Sequence, residues 1–387
     1  MGLGGREGPH AFLHLSDLHI GRRLNGFSLL EDQRAVLGQA VKLAEECDAV
    51  LLAGDLYDKP QPPAEAIRVV SDFLVALRGL GKPVFAVSGN HDAPEQVAYC
   101  HELLGRCGVF LSPAFDGALH GHTLRDAYGE VRVWLMPFLR PSAVRPYFEN
   151  VRTFEDAVRA ALSTVAREPD MRHVLVAHQY VTGAATCDSE ILSLGGTDQV
   201  GASLFDGFDY VALGHLHSPQ KLCGGRVRYC GSPLKYSLSE ERQRKAALVV
   251  DLGPEGLRGV EEHPFAPLRD LRTVRGALKE LTEPECFSED YVYAELTDEE
   301  ALADPVGALR ITYPNLIGMR VRNSRTNDGL AQAEAEVEAA ERHTPLEHFT
   351  AFYQMQNNGT PPDERRLRVM RQVIEEAEAK RHEAGQA

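Results

Sequence analysis

The sequence predicts an α/β domain over residues 1–264, a small α+β domain over residues 265–328 and a helical tail over residues 329–387. In the first region, short apolar segments alternate with segments whose apolar residues recur at helical spacing. This alternation is typical of βαβ units around a sheet that is buried on both faces. Near residue 265 the alternation becomes irregular, and from about residue 330 the chain is rich in Ala and Glu.

The pattern of apolar residues predicts the strands and helices of the first region. A short unbroken apolar run favours a buried strand, whereas a stripe at positions i, i+3 and i+4 favours an amphipathic helix. Strands are predicted over residues 11–16, 49–53, 83–87, 131–136, 173–177, 210–213, 226–230 and 246–252. Helices are predicted over residues 29–46, 64–80 and 154–167.

The second region combines three predicted strands, over residues 268–275, 291–296 and 317–322, with helices around 276–282 and 300–311. In the tail, two amphipathic helices flank the strong turn signal NNGTPP at residues 357–362. The apolar residues of these helices are Leu346, Phe349, Phe352, Tyr353 and Met355, followed by Leu367, Met370, Val373 and Ile374. These stripes either pack on the core of this chain or dock on a partner coiled coil.

The charge balance and the cysteines limit the class of protein. The chain carries 41 Lys and Arg against 56 Asp and Glu, a net charge of -15, which disfavours a large autonomous DNA-binding surface. A local basic patch, bound cations or a basic partner remain compatible with this balance. The seven cysteines form no Cys-x-x-Cys pair, so we expect reduced thiols in a cytoplasmic protein. No signal peptide and no apolar run of membrane-spanning length is found, so no membrane is expected.

Polar side chains with metal-binding chemistry follow the predicted strands. In an open α/β sheet the carboxyl ends of the strands line one crevice, where ligands bind. Within two of these loops the candidate ligands are two residues apart, a spacing that places extended side chains on one face. The candidate metal ligands are Asp17, His19, Asp55, Asn90, His178, His215 and His217.

This mixture of carboxylates, an amide and imidazoles suits manganese, iron or zinc better than magnesium. Seven protein ligands are too many for one ion, but two ions that share a carboxylate, about 3.5–4 Å apart, account for them. Such a pair activates water and clamps a phosphoryl group during in-line displacement. Each short motif alone is compatible with an ordinary turn, whereas the whole set in this order at strand ends predicts a two-metal phosphoesterase site.

These motifs resemble those of the calcineurin-like metallophosphoesterase superfamily, which implies a β-sandwich flanked by helices. The matching residues are Asp17-Leu18-His19, Gly54-Asp55, Gly89-Asn90-His91-Asp92, His178 and Gly214-His215-Leu216-His217. Residues 14–21, 54–58 and especially 231–237 (GSPLKYS) are similar to the SbcD family, the nuclease subunits of bacterial complexes with the ATPase SbcC. The resemblance implies a manganese-dependent DNA nuclease, active on double-stranded ends, single strands and hairpins, that serves DNA repair and recombination.

The family pattern also implies roles for individual residues. Asp17, His19 and His217 would hold one metal ion and Asn90, His178 and His215 the other, with Asp55 as the bridge. His91 would protonate the leaving oxygen or stabilise the transition state, and Asp92 would orient His91. Archaeal and eukaryotic relatives carry a histidine three residues after the bridging aspartate, where this chain has Asp58. Asp58 therefore either supports a neighbouring side chain or belongs to an ordinary turn.

The same resemblance implies several interfaces. Residues 265–328 would be the capping domain, and the tail would dock on the coiled coil of the ATPase. Segments 64–80 and 95–105 would form a homodimer. The expected partner-binding residues are Leu346, Phe349, Phe352, Tyr353 and Met370. The expected DNA-binding residues are Arg22, Arg23, Lys221 and Lys235, which would follow the backbone beside the cleft, although each alone is also an ordinary surface charge.

Two other functions remain open from the residues alone. A phosphatase acting on proteins or nucleotides would use the same metal cage. The phosphoprotein phosphatases of this superfamily usually continue the second motif into Asp-Arg-Gly and end the third as Asn-His-Glu, which differs from residues 54–58 and 90–92 here. A catalytically silent scaffold would have lost at least one ligand, whereas all seven positions are filled.

Overall fold

The computed structural model describes residues 10–190, 198–300, 302–323, 346, 349–350, 353–354 and 361–384. The strands are β1 His10–Leu15, β2 Arg23–Leu24, β3 Phe27–Ser28, β4 Ala49–Ala53, β5 Val84–Val87, β6 Val109–Leu111, β7 His120–Asp126, β8 Gly129–Met136, β9 Arg172–His178, β10 Tyr180–Val181, β11 Gln199–Val200, β12 Tyr210–Gly214, β13 Gln220–Leu222, β14 Val227–Tyr229, β15 Ala246–Gly253, β16 Gly256–Pro264, β17 Leu271–Gly276, β18 Tyr291–Leu296 and β19 Leu316–Val321. The helices are α1 Leu30–Ala44, α2 Ala64–Gly79, α3 Pro94–Val97, α4 His101–Arg106, α5 Pro141–Val144, α6 Phe154–Leu162, α7 Leu278–Leu281, α8 Pro305–Thr312 and α9 Glu364–Ala384.

Two six-stranded sheets pack face to face to form the first domain. One sheet has the order β16-β15-β1-β4-β5-β6 and the other the order β13-β14-β12-β9-β8-β7. The apolar run of β4 is continuous because both of its faces are buried: Leu51 faces the core between the sheets, whereas Val50 and Leu52 belong to the core beneath the helices. The predicted α/β sandwich flanked by helices is therefore confirmed.

Helices cover the outer face of each sheet. α1 and α2 bury apolar stripes, including Val36 and Phe73, against the first sheet. α6 covers the second sheet, and it begins at a capping box in which Thr153 and Asp156 bind each other's backbone N–H groups. This helix ends at Leu162, five residues before the predicted end at residue 167.

Within the two large sheets, the strands that the sequence did not predict are β6, β7, β13 and β16, which lie at the four edges. An edge strand has a neighbour on one side only and carries polar side chains on its open face. In β7, for example, the exposed residues alternate with half-buried and buried ones and include His120 and Arg125. Apolar runs therefore indicate the central strands, whereas β7, β13 and β16 are too polar to show one and β6 is only three residues long.

A smaller three-stranded parallel sheet, in the order β17-β18-β19, follows the sandwich. α7 and α8 pack on it around a separate apolar core that includes Val292, Leu296 and Tyr313. The hydroxyl of Tyr291 donates to the carboxylate of Asp32 in α1 at 2.8 Å, which joins this sheet to the first domain. β16 ends at Pro264 and β17 begins at Leu271.

The described part of the tail consists of a few residues near 350 and of α9. The rings of Phe349 and Tyr353 lie 5.9 Å apart, and Val369 and Val373 on α9 are 56% and 48% exposed. Phe352, Met355 and the predicted turn up to residue 360 lie outside the described residues. Among the helices that the structure describes, none has the length and apolar character needed to span a membrane.

Candidate metal centre

The seven predicted ligands meet at one edge of the sandwich, where both sheets present the carboxyl ends of their parallel strands. Three of the ligand loops follow β1, β4 and β5, one follows β12, and His178 is the last residue of β9. The loops are fastened together by backbone hydrogen bonds: Asp17 N donates to the Gly54 carbonyl at 3.1 Å, and His19 N donates to the Asp55 carbonyl at 2.9 Å. The two sheets thus deliver their polar loops to one place.

Four of these ligands adopt a backbone conformation that side chains rarely take. The φ angles of Asp17, His19, Asp55 and His215 are 51°, 43°, 51° and 105°. A non-glycine residue in such a region costs about 1–3 kcal/mol and persists where the surroundings require it, often at active sites. Among the described residues, four of the nine non-glycine residues with positive φ are thus predicted metal ligands.

Two glycines of the motifs leave space for this arrangement. A Cβ atom on Gly89 would lie 2.1 Å from Oδ1 of Asp55, and one on Gly214 would lie 1.9 Å from the carbonyl oxygen of Ala53. Neither distance is possible for a side chain, so both glycines are required by close approach of the neighbouring loop.

The first group of ligands is Asp17, His19 and His217, whose ligand atoms all lie within 4.8 Å of one another. Nε2 of His19 lies 3.1 Å from Nε2 of His217. Burial lowers the pKa of His19 well below its ordinary value, so its imidazole is neutral. A neutral imidazole offers a lone pair, which is the form that binds a metal ion.

The second group is Asn90, His178 and His215. Oδ1 of Asn90 lies 2.9 Å from Nε2 of His178 and 2.9 Å from Nδ1 of His215. Nδ1 of His178 faces the carbonyl oxygen of Ala53 at 2.8 Å and must donate to it, which leaves the lone pair on Nε2. Three ligand atoms therefore converge on a second point.

Asp55 lies between the two groups. Its Oδ2 atom is 3.5 Å from Nε2 of His19 and 3.5 Å from Nε2 of His178. Burial opposes ionisation of Asp55, but the neighbouring His178 and His91 outweigh this effect and hold its pKa well below the ordinary value. Burial alone would lower the pKa of His178, yet Asp55 raises it to about 9, so a cation that binds Nε2 would have to displace a proton from it. The donor set and its convergence fit two divalent cations, with Asp55 in reach of both.

Behind His217 lies a buried polar network that sequence reasoning missed. Nδ1 of His217 is 2.6 Å from the hydroxyl of Ser189 and 3.5 Å from Oε1 of Glu240. Glu240 is fully buried and pairs with Lys245, whose Nζ also donates to the His217 carbonyl at 2.8 Å. Burial would raise the pKa of Glu240, but His217 and Lys245 together hold it far below its ordinary value.

A second carboxylate, Glu190, accepts a hydrogen bond from the backbone N–H of His217 at 2.6 Å. Partners of this kind fix the orientation and the proton position of a metal-binding histidine. The signal that was available in the sequence is the position of Glu240 and Lys245, which lie three and eight residues after the end of the GSPLKYS motif.

His91 lies beside the ligands, half-buried, with its ring 4.6 Å from that of His19. Its backbone N–H donates to Oδ1 of Asp55 at 2.9 Å, and its Nδ1 donates to the carbonyl oxygen of Asp58 at 3.0 Å. This contact fixes the tautomer, so Nε2 is the ring nitrogen left to exchange a proton with a bound molecule.

Asp92 contacts the backbone of the loops rather than the ring of His91. Its carboxylate accepts hydrogen bonds from Leu56 N at 3.1 Å, Tyr57 N at 3.0 Å and Gly89 N at 2.9 Å. Burial and the charge of Asp55 raise its pKa to about 6. The orienting contact predicted for Asp92 is made instead by the Asp58 carbonyl, because the three N–H groups occupy the Asp92 carboxylate.

The basic residues predicted to contact DNA have different surroundings. Arg22 is half-buried, pairs with the side chain of Asp58 at 2.9 Å and lies 5.5 Å over the ring of Tyr236. Lys235 pairs with Asp270 of the small domain at 2.8 Å. Arg23 and Lys221 are exposed, the latter on the edge strand β13. Arg22 therefore lies close to the ligand loops, whereas Lys235 belongs to the junction with the small domain.

Fold and site together define a metallophosphoesterase, and the family comparisons agree. The family described as calcineurin-like phosphoesterase matches residues 10–219, and the family described as type 5 capsule protein repressor C-terminal domain matches residues 267–357. A relative from Staphylococcus epidermidis, named as the D subunit of the nuclease SbcCD, is 30% identical over 318 residues, covering 79% of this chain and 84% of the relative. A solved structure, that of TT1561 from Thermus thermophilus, is 17% identical with a TM-score of 0.41 and covers 66% of this chain and 99% of its own.

The chain belongs to the calcineurin-like phosphoesterases and, within them, to the SbcD family. It is accordingly a metal-dependent phosphoesterase. This confirms the class of enzyme and the family that the sequence motifs indicated.

Proposed function

We propose that this protein is a manganese-dependent DNA nuclease, which cuts double-stranded DNA from its ends and cuts single strands and hairpins internally, in DNA repair and recombination. The observation that carries the proposal is the position of Asp55, whose Oδ2 atom is 3.5 Å from a histidine of each ligand group. Two cations held there, by Asp17, His19 and His217 on one side and by Asn90, His178 and His215 on the other, would supply a nucleophile from water and neutralise the charge of a phosphodiester.

The protein side of this mechanism follows from its hydrogen bonds. Ser189 and Glu240 hold the ring of His217, and the Ala53 carbonyl holds that of His178, so each ligand faces the centre in the required tautomer. The Asp58 carbonyl holds Nδ1 of His91, whose Nε2 donates a proton to the leaving oxygen. Asp92 keeps the loops after β4 and β5 together through three backbone N–H groups.

A nucleic acid substrate is proposed from the family relative, whose name describes a nuclease subunit. The net charge of -15 leaves little general attraction for DNA. We therefore assign most of the affinity for long DNA to a coiled-coil ATPase of the SbcC type. This partner would dock on the tail, at Leu346, Phe349, Phe352, Tyr353 and Met370. Tight binding of long duplex DNA by the isolated chain at physiological salt would contradict this division of labour.

We also propose that residues 1–264 form the catalytic domain, 265–328 a capping domain and 329–387 the docking tail, in a cytoplasmic complex. A homodimer would form through α2 and the segment 95–105. Large apolar side chains are exposed there on the isolated chain: Ile67 is 42% exposed, Val75 68%, Tyr99 76% and Leu103 60%. Exposed apolar residues grouped on neighbouring elements are typical of a protein interface.

The test is hydrolysis of linear duplex, hairpin and circular single-stranded DNA with manganese, for the wild type and His91→Ala, beside a phosphomonoester. The proposal expects metal-dependent DNA cleavage, a loss of about 100- to 10,000-fold in His91→Ala and unchanged metal content in that variant. Turnover of the phosphomonoester alone would favour a phosphatase. If the isolated chain cuts none of these substrates, the assay is repeated with the ATPase added. Absence of hydrolysis in that assay as well would favour a catalytically silent scaffold.

A further inference from the structure

Arg140 lies beside the candidate metal centre and has no role in the mechanism described above. It follows β8, which is the parallel neighbour of the strand that ends at His178, so it reaches the same edge of the second sheet. The segment is fixed: Phe138 N donates to the Ser88 carbonyl at 2.9 Å, and α5 begins at Pro141 with Arg140 as its N-cap residue. A residue before proline is restricted to extended conformations, so the position of Arg140 is well defined.

The side chain of Arg140 is held between an aromatic ring and a ligand loop. Its guanidinium lies 5.1 Å from the centre of the Phe138 ring, and Nη2 donates to the Asn90 carbonyl at 3.5 Å. The same Phe138 ring stacks on the ring of His215 at 6.0 Å and meets that of His178 edge-on at 6.1 Å. Two predicted metal ligands and Arg140 therefore share one aromatic support.

The guanidinium is half-buried, yet no ion pair with a carboxylate is found for it among the residues that the structure describes. A guanidinium stays protonated in proteins and presents five N–H donors in a planar fork. The long contact with Asn90 occupies one donor, so most of the fork is available to another partner.

We propose that Arg140 binds the non-bridging oxygens of the phosphate group that the metal centre hydrolyses. This inference rests on the proposed phosphodiesterase function and adds a substrate-binding residue to it. The fork matches a phosphate group, which carries two or three oxygens in a comparable geometry. A cation already in place beside the reacting phosphate stabilises the charge that develops there without reorganisation of water.

Arg132 offers a matched control. Its guanidinium also lies over an aromatic ring two residues away in sequence, that of Trp134 at 5.3 Å, and it donates to the Thr123 hydroxyl at 2.9 Å on the edge strand β7. Both arginines thus make the same kind of packing contact, but only Arg140 contacts a ligand loop. Replacement of either residue by methionine removes the charge and retains an unbranched apolar chain.

The experiment measures three quantities for the wild type, Arg140→Met, Arg140→Lys and Arg132→Met in the full chain. These are manganese bound per chain, affinity of the manganese-loaded protein for inorganic phosphate by calorimetry, and kcat/KM for bis(4-nitrophenyl) phosphate. We expect Arg140→Met to bind manganese normally, to bind phosphate at least about 10-fold more weakly and to lose about 100-fold in kcat/KM. Arg140→Lys recovers part of both losses because it keeps the charge without the fork, and Arg132→Met stays within about 2-fold of the wild type.

Unchanged phosphate affinity and kcat/KM in Arg140→Met would overturn the inference. Loss of manganese in that variant would also overturn it, since Arg140 would then only support the Asn90 loop. A wild type that hydrolyses neither the diester nor DNA refutes the proposed function instead. In that case phosphate affinity alone decides about Arg140, because weaker binding in Arg140→Met supports the contact and equal binding refutes it.

Discussion

The carbonyl oxygen of Asp58 accepts a hydrogen bond from Nδ1 of His91 at 3.0 Å, while the carboxylate of the same residue pairs with Arg22. The backbone of Asp58 thus orients the proposed acid, and its side chain holds a cation beside the ligand loops. The two functions of Asp58 can be separated by mutation.

Asp58→Ala keeps the carbonyl that orients His91 and removes the partner of Arg22. We expect hydrolysis of a small diester to stay within about 5-fold of the wild type, because an ion pair with partly exposed partners contributes about 1 kcal/mol or less. Steady-state kinetics with bis(4-nitrophenyl) phosphate measure this, with His91→Ala as the reference for a full loss. A loss in Asp58→Ala as deep as that in His91→Ala would mean that the carboxylate itself takes part in the reaction.

Glu240→Gln removes the buried negative charge behind His217 and leaves Lys245 without its ion-pair partner. Removal of one partner of a buried pair typically costs about 3–5 kcal/mol of unfolding free energy. The loss of support for His217 should weaken metal affinity by about 10- to 100-fold. Chemical denaturation and metal titration measure the two effects, and Glu255→Gln on the exposed surface is the control. Full metal affinity in Glu240→Gln would show that His217 is oriented without it.

Gly89→Ala would bring a Cβ atom to 2.1 Å from Oδ1 of Asp55. Because this contact is impossible, the carboxylate must move, and we expect loss of metal binding and of activity. Gly38 in α1 has open space around its Cβ position, so Gly38→Ala should retain activity and gain about 0.5–1 kcal/mol of stability. Metal content and thermal unfolding of both variants test the pair. Normal metal binding in Gly89→Ala would show that the loop adapts more easily than its packing indicates.

Asp126 and Arg172 form a buried ion pair at 2.5 Å, which joins β7 to β9 across β8. Burial raises the pKa of Asp126, but Arg172 outweighs this effect and the net shift is downward. A lowered pKa in the folded state means that the pair stabilises the protein above the ordinary aspartate pKa of about 3.9, and that this stability is lost as the pH falls through the folded value.

Asp126→Asn should therefore be less stable than the wild type at neutral pH, by about 3–5 kcal/mol for a broken buried pair. Its disadvantage should shrink as the pH falls below about 4, because the unfolded wild-type chain takes up a proton at Asp126 there and the folded carboxylate does so only at lower pH. Urea denaturation of both proteins between pH 3 and pH 7 measures the difference. A difference that does not change with pH would show that Asp126 acts by packing rather than by charge.

The sequence by itself predicted the central strands, the order of the ligand loops and seven candidate ligands, which the structure brings together. The reason is that β1, β4, β5, β9 and β12 are buried on both faces and are therefore mostly apolar, so the polar residues at their carboxyl ends stand out. The glycines of these motifs also have a structural reason. A Cβ atom at Gly89 or Gly214 would overlap the neighbouring loop, so only glycine fits at these two positions.

Only the tertiary structure decided which residues support those ligands. Glu240 reaches His217, the Asp58 carbonyl reaches His91, and Arg140 reaches the Asn90 loop; each pair is separated by more than twenty residues in the sequence. The four edge strands were also decided there: β7, β13 and β16 carry polar side chains that resemble those of loops, and β6 has only three residues. An apolar run indicates a buried strand from consecutive residues alone. A hydrogen bond between distant loops depends on how the two sheets pack, which no short segment of the sequence indicates.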